Sequence, residues 1–505
     1  MVVSTKSATI IGLNVYEIDI EVDTVNSIPQ VAIIGLPDTA ISEAKERLRL
    51  AIKNSGFSFP QTKVVINLAP ADLKKEGSSY DVPMAIGILA KEGIIKDISS
   101  DTAFIGELSL DGKIRPVNGV LPIVCGLAEI GYKKVIVPYD NLKEASFIDN
   151  IETYGAQNLS QIVEFLNGES ELAQLKQNID DYLNFEDNFP VDFSQVKGQF
   201  QAKKALEIAA AGAHNILMSG SPGAGKTLLS KAFMSILPPL NKKEAIELTK
   251  IYSISGLLDK NHPLITKRPF RSPHHSASAV GIIGGGSNPK PGEITLAHRG
   301  VLFLDEMVEF PRQTLEVLRQ PLEDGVVTIS RAQTSVQFPA NFIILGSMNP
   351  CPCGFLGDSK KECTCSEFQI NRYRARLSGP LLDRIDIQIK VQRLDEDELL
   401  DDKTVSENSS EIRKRVIEAR NIQLKRYEKD NILTNSELTP KLLKKYCKID
   451  DSSKAFLKNA INQFNLSARA YDRILKISRT IADLDKKENI ELSHIAQALQ
   501  LRSFN

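Results

Sequence analysis

Eight consecutive residues, Gly220-Ser221-Pro222-Gly223-Ala224-Gly225-Lys226-Thr227, have the composition of a loop that holds a polyphosphate. Glycines let successive backbone N–H groups close around phosphate oxygens, and a helix starting just after them adds the partial positive charge of its N-terminus. Lys226 is long enough to reach the β- and γ-phosphates, and Thr227 can place a hydroxyl on Mg²⁺. With glycine near 7% of average residues, a chance match in a chain of this length is roughly 2%. Downstream, the apolar run Val301–Leu304 ends in Asp305 and Glu306. Asp305 would hold Mg²⁺ through water, and Glu306 would polarise a water for attack. A third apolar run, Phe342–Ser347, leads to Asn349, where a polar side chain can orient the same water. The chemistry implied is binding and hydrolysis of ATP.

Two arginines follow at places that suit charge stabilisation on the leaving γ-phosphate. Arg384, in Leu381-Leu-Asp-Arg-Ile-Asp386, suits an arginine supplied to a neighbouring subunit. Arg469, in Leu466-Ser-Ala-Arg469, suits a sensor within its own subunit. The plainer alternative is a surface arginine paired with Asp383, Asp386 or Asp472. Separately, Cys351, Cys353, Cys363 and Cys365 bring four thiols into fifteen positions. That number suits tetrahedral Zn²⁺, although the C-x-C spacing is tighter than the usual C-x₂-C, and free thiols or a redox pair stay open. Cys125 and Cys447 lie in apolar helical settings and read as buried small hydrophobes.

These residues need particular elements behind them. Asn215–Ser219 reads as a strand before the loop and Leu228–Leu237 as a helix after it. Lys226 and Asp305 are 79 positions apart, so residues 252–298 must hold an insertion, including the glycine-rich stretch Gly281–Gly286. Val326–Ser330 and Thr334–Phe338 read as a hairpin with Arg331 at its tip. A tip arginine there could follow a phosphate backbone without reading bases. Residues 1–168 alternate strand and helix signals and form an α/β domain of their own. In it, Thr39–Asn54 is a helix behind the N-cap Asp38, Asp81 caps a second helix, and residues 120–131 and 134–138 are helix then strand. Phe104–Leu110 and Lys113–Val117 flank Asp111–Gly112 as a hairpin. Residues 169–195 read as an acidic linker, 196–394 as the ATPase core, and 395–505 as a helical lid with cap candidates Thr439, Ser467 and Ser493.

The chain has 505 residues with 42% hydrophobic and 25% charged, which suits soluble globular domains and excludes disorder as the main state. The net charge of −1 names no partner. Locally, residues 411–505 carry 20 Lys/Arg against 12 Asp/Glu, behind an acidic stretch at 395–410. That pattern is compatible with nucleic acid, but a solvated face is the commoner explanation. No run of 18 apolar residues exists, so no membrane span is expected. No signal-type N-terminus appears, and the clustered cysteines suit a reducing compartment, so the expected location is the cytoplasm.

The order of P-loop, Asp-Glu, strand-end Asn, Arg and helical lid resembles the AAA+ ATPases. More specific are Arg268-Pro-Phe-Arg-Ser-Pro-His-His-Ser276, Gly284-Gly-Gly286, Pro291-Gly-Glu293, Leu296-Ala-His298 and Leu377–Asp386. Together they resemble the magnesium-chelatase-like AAA+ family and, within it, the bacterial ComM/YifB group, across the whole chain. The resemblance implies an α/β fold class: a Lon-protease-like, ribosomal-S5-type domain, a P-loop AAA+ core with a parallel sheet, and an all-α lid. It places Asp305 and Glu306 as Walker B, Asn349 as sensor 1, Arg384 as arginine finger and Arg469 as sensor 2. The hairpin around Arg331 resembles the pre-sensor-1 hairpin that enters the central pore of a ring. The implied assembly is a homo-oligomeric ring, a hexamer. The implied activity is ATP-driven translocation and branch migration on single-stranded or branched DNA, in recombination and natural transformation. A chelatase-type motor remodelling a protein partner is the alternative. Gly106–Val117 resembles the hairpin of Lon-type protease domains, which use a Ser–Lys dyad. Ser78 and Ser79 lie near the expected serine, but Ile123 stands where the lysine belongs, and Lys113 and Lys133 are poorly placed substitutes. Without a base the serine is not activated, so proteolysis is not expected.

Overall fold

The computed structural model describes residues 2–75, 77–183, 189–259, 261–286, 289–330, 335–395, 406–464 and 466–502. The chain forms two compact units. One is Met1–Asn184 with Asn241–Thr266, and the other is Phe185–Leu240 with Lys267–Asn505.

The first unit is built on an eight-stranded mixed sheet. Across it the strands run Ala173–Gln174, Glu152–Ala156, Lys134–Pro138, Thr102–Phe104, Val3–Ile11, Asn14–Val25, Lys63–Ala69 and Gln30–Ile34. Period-two patterning forms it: Ile18, Ile20 and Val22 on one strand and Val64, Ile66 and Leu68 on the next point to one buried face. Helix Thr39–Asn54 covers that face with Ile41, Ala44, Leu48, Ala51 and Ile52, spaced as one helical stripe. Its cap is Asp38, whose carboxylate accepts from the Ile41 N–H at 2.9 Å.

Asp81 behaves differently from the expectation. Tyr80 is the N-cap of helix Asp81–Lys91, and the buried Asp81 carboxylate instead receives Arg47 at 2.9 Å and the Leu108 N–H at 3.2 Å. A partner 34 positions away outcompetes the local cap. Around Asp111–Gly112 the paired segments shrink to Glu107–Leu108 and Ile114–Arg115, because Thr102–Phe104 is taken into the main sheet. Residues 169–183, expected as linker, supply the edge strand Ala173–Gln174 and the helix Ile179–Leu183.

Helix Lys242–Ile254, expected within the ATPase region, also packs in the first unit, against helix Val120–Ile130. Its Ser253 hydroxyl donates to the buried Glu144 carboxylate, which also accepts from the Leu121 N–H at 3.0 Å and from Asn141 at 3.1 Å. Chain position alone assigned this segment to the ATPase, and a polar anchor assigns it elsewhere.

In the second unit five parallel strands lie in the order Phe270–Arg271, Val301–Leu304, Ile343–Met348, Ile216–Ser219 and Ile387–Lys390. Ile216 is level with both Leu345 and Ile387, so the loops after the three central strands open at one edge. Helices Phe200–Gly212 and Lys226–Ile236 share one core with helices Ser409–Tyr427 and Ala468–Leu484, through residues such as Leu206, Phe233, Val416, Ile474 and Ile477. The lid therefore has no core apart from that of the sheet. Thr439 and Ser467 cap their helices as expected. Ser493 does not: helix Leu492–Gln500 begins after Glu491, which forms a reciprocal pair with His494.

Candidate active site

Strand Ile216–Ser219 runs into the glycine loop, and helix Lys226–Ile236 leaves it with Gly225 as N-cap. Gly223 and Gly225 have φ of 80° and 90°, a left-handed backbone that side-chain-bearing residues avoid. A Cβ added at either would meet nothing within 4 Å, so the loop curls around open space. That cradle fits a phosphate chain. Lys226 Nζ donates to the carbonyls of Gly220 and Ser221, at 2.5 and 3.0 Å, and to Asn349 Oδ1 at 3.2 Å. Burial lowers its pKa, while Asp305 and Glu306 pull it back up. A cation held on neutral acceptors in this way is available to exchange them for phosphate oxygens.

Thr227 Oγ1 stands 3.4 Å from Asp305 Oδ2, the two groups expected to share Mg²⁺. Asp305 is fixed from behind: the Ser347 hydroxyl donates to it, and the Glu306 N–H donates to Asp305 Oδ1 at 3.1 Å and to Ser347 Oγ at 3.2 Å. Glu306 takes φ of 50°, and this turn carries its side chain away from the sheet, where it is 58% exposed. His275 Nδ1 lies 3.9 Å from Glu306 Oε2. Ser347 and His275 were not singled out as site residues. Ser347 is an ordinary strand serine with no sequence signal, whereas His275 sits in the His-His motif, which carried a resemblance but no role.

The two arginines come together on one acid. Arg384 is buried, donates to the Pro380 carbonyl at 2.7 Å and pairs with Glu323. Arg469 is 54% exposed, with its guanidinium 3.7 Å from the same Glu323. Neither Asp383 nor Asp472 supplies the partner. Asp386 instead receives Arg473 and the Asn215 N–H, the latter at 2.9 Å, and lies 3.7 Å from His214. Burial opposes the Asp386 charge, but Arg473, His214 and Lys476 outweigh it and hold the carboxyl well below its ordinary range. This cluster ties helix Ala468–Leu484 to the strand leading into the glycine loop.

The four thiols converge. Cys351 Sγ is 3.4 Å from Cys353 Sγ and 3.6 Å from Cys363 Sγ, and all four sulfurs lie within 4.8 Å of one another. Those separations exceed a disulfide bond of about 2.05 Å. They approach the roughly 3.8 Å edge of a tetrahedron with Zn–S near 2.3 Å. Backbone N–H groups of Phe355 and Thr364 favour the Cys353 thiolate, pulling its pKa to about 6. The donor set fits Zn²⁺. The loop also lies beside the glycine loop: Ser221 is foremost among the groups that lower the Asp358 pKa, and a Cβ on Gly354 would stand 2.7 Å from Pro222. Cys125 and Cys447 are buried, as expected.

Strands Val326–Ser330 and Ser335–Pro339 pair antiparallel with Ser330 opposite Ser335. The described part of the second strand is Ser335–Pro339, and both Arg331 and Thr334 lie outside the described residues. In the insertion, Ala279–Ile283 is a short helix and Gly284–Gly285 pairs with Lys290–Pro291, so this glycine-rich stretch is partly regular. In the first unit the Ser78 hydroxyl donates to Glu107, an acid, and Ile123 is buried in the core. No helix among the described residues is long and apolar enough to cross a membrane.

Three family descriptions match: "Subunit ChlI of Mg-chelatase" over residues 20–141, "Magnesium chelatase, subunit ChlI" over 192–399, and "Magnesium chelatase, subunit ChlI C-terminal" over 406–502. The chain is 42% identical to the competence protein ComM of Haemophilus influenzae over 495 residues, covering 97% of this chain and 96% of that protein. It is 38% identical to protein YifB of Escherichia coli over 507 residues, covering 100% of this chain and 97% of the relative. A shorter match, 30% identical over 123 residues, joins 24% of the chain to 21% of Lon protease 2 of Bacillus subtilis.

Proposed function

Because the chain belongs to the magnesium-chelatase-like AAA+ ATPases of the ComM/YifB type, we propose that it is a ring-forming motor that couples ATP hydrolysis to translocation and branch migration on DNA. The observation that carries this reading is one of position. Two antiparallel strands, Val326–Ser330 and Ser335–Pro339, lie between Glu306 and Asn349 in the chain, so a paired element is spliced between two residues of the hydrolytic site. The likeness to a competence protein supports DNA as the polymer.

In this mechanism the glycine loop binds the phosphates through its N–H groups, and Lys226 exchanges its carbonyl partners for the β- and γ-phosphates. Thr227 and Asp305 would hold Mg²⁺, which would supply positive charge against the phosphates. Glu306 accepts the proton of the attacking water, and Asn349, held by Lys226 at 3.2 Å, orients that water. Arg384 from a neighbouring subunit of a hexameric ring and Arg469 from the same subunit stabilise the leaving γ-phosphate. The thiols of Cys351, Cys353, Cys363 and Cys365 would hold one structural Zn²⁺, which would order the loop beside Ser221 and Pro222. Arg331 grips the DNA backbone without base preference.

The test is ATP turnover of the purified protein with and without a four-way DNA junction, together with movement of that junction. We expect stimulation that weakens with salt and is lost in Arg331→Ala. A protein whose turnover ignores single-stranded and branched DNA alike belongs instead to the chelatase-type remodellers of protein partners.

A further inference from the structure

Arg384 presents a difficulty that leads further. An arginine that serves a neighbouring subunit must be presented outward, yet this one is 5% exposed and is held within its own chain. Its Nε is buried without a partner, so the Pro380 and Glu323 contacts do not satisfy the guanidinium. Leaving such a donor unmade costs free energy, and a rearrangement that offers it a phosphate oxygen recovers that cost. Among the described residues the acidic group paired with Arg384 is Glu323, and it faces three cations. Arg384 lowers its pKa most, burial opposes this, and Arg469 and Arg473 add to the lowering. Both arginines expected to act on ATP therefore converge on one carboxylate.

The place of Glu323 in the chain supplies the second half. It lies in helix Arg319–Asp324, which ends at Gly325 with φ of 67°, and strand Val326–Ser330 begins at the next residue. A Cβ at Gly325 would stand 2.2 Å from Asn341 Oδ1, so the junction is tight. Val327 and Phe338 at the hairpin base are buried, and Glu323 is three positions before the hairpin begins. A load on the hairpin is passed to the helix that carries Glu323 rather than absorbed in a loose connection.

We propose that Glu323 is a positioning residue, a latch that holds Arg384 and Arg469 away from ATP until displacement of the hairpin draws it off them. The latch rests on the reading that these arginines act on the γ-phosphate. It makes the idle chain slow, since only the fraction with released arginines is competent. It also gives the polymer a route to the chemistry that needs no contact with nucleotide.

The experiment measures steady-state ATP turnover of full-length Glu323→Gln, with and without single-stranded DNA. The substitution keeps the volume and removes the charge at a side chain that is 50% exposed. We expect basal kcat to rise about fivefold, the low end of a typical coupling between sites. KM for ATP should stay unchanged, and the stimulated-to-basal ratio should fall toward one. Glu323→Asp, which keeps the charge on a shorter stem, should rise less. The double variant Glu323→Gln/Arg384→Ala should lose the rise. Basal turnover that is unchanged or lower in a Glu323→Gln protein of wild-type melting temperature overturns the latch. A rise that persists in the double variant does the same, because the effect then bypasses Arg384. Should Glu323→Gln not fold, Glu323→Ala carries the same expectations. If wild-type turnover ignores DNA, the DNA reading fails on its own and the basal rate still decides the latch.

Discussion

The glycine loop and the arginine pair, both proposed to act on ATP, are built in opposite ways. The loop is eight adjacent residues in which Gly223 and Gly225 take left-handed backbone angles and face open space. The arginines are 85 positions apart in the chain, and both are engaged by Glu323. A cradle formed of adjacent residues is ready before ligand arrives. A site assembled from distant charges is ready only when its competing partners let go. The loop is thus set by local stereochemistry, and the placement of the arginines by ion pairs formed over distance.

The largest effect that tests this contrast is expected from Arg384→Ala, which should bind ATP but lose roughly 1,000-fold in kcat if the residue acts as an arginine finger. Lys226→Ala should fail earlier, at binding. Freely exchanging mixtures of the two variants should recover part of the turnover, because each lacks a different half of a shared site. Absence of recovery would place Arg384 in its own subunit and remove the contrast.

A second test moves to the buried acid beside the pair. Asp386→Ala leaves the Arg473 cation without its counter-charge, and stability to urea should fall by about 3 kcal/mol at neutral pH. The sign of its pH dependence follows from the depressed folded pKa of Asp386. The contribution is fully present above the unfolded value of about 3.9 and is lost as pH falls toward the lower folded value. The gap between wild type and variant should therefore narrow below about pH 4. A gap that widened on acidification would show that Asp386 is not ionised in the fold.

The smallest effect concerns the support of the cradle. Purified protein should hold about one zinc per chain by elemental analysis, and Cys351→Ser/Cys363→Ser should hold none. Because Asp358 and Gly354 of this loop rest on Ser221 and Pro222, KM for ATP should rise about threefold in the double variant, on the order of one lost contact. Zinc-free wild-type protein with normal KM would detach the cysteine loop from the cradle.

Much of the nucleotide end was legible because its signals are local. Gly223 and Gly225 take backbone angles that their own lack of a side chain permits, Lys226 follows them directly, and Asp305 ends a strand whose four residues are all buried. Asp38, Thr439 and Ser467 cap helices within three or four residues of themselves. What the linear order could not disclose is which partner wins over distance. Asp81 leaves a capping position for Arg47, residues 241–266 are drawn into the first unit where Ser253 meets Glu144, and Arg384 pairs with Glu323 rather than with an acid beside it. Backbone angles and short-range caps are properties of a few neighbouring residues, so the sequence by itself determined the phosphate loop, the strand-end acids and three of the five expected helix caps. Ion pairs and buried carboxylates depend on which elements fold against one another and how much water they exclude. Tertiary structure alone therefore decided where the arginines are held.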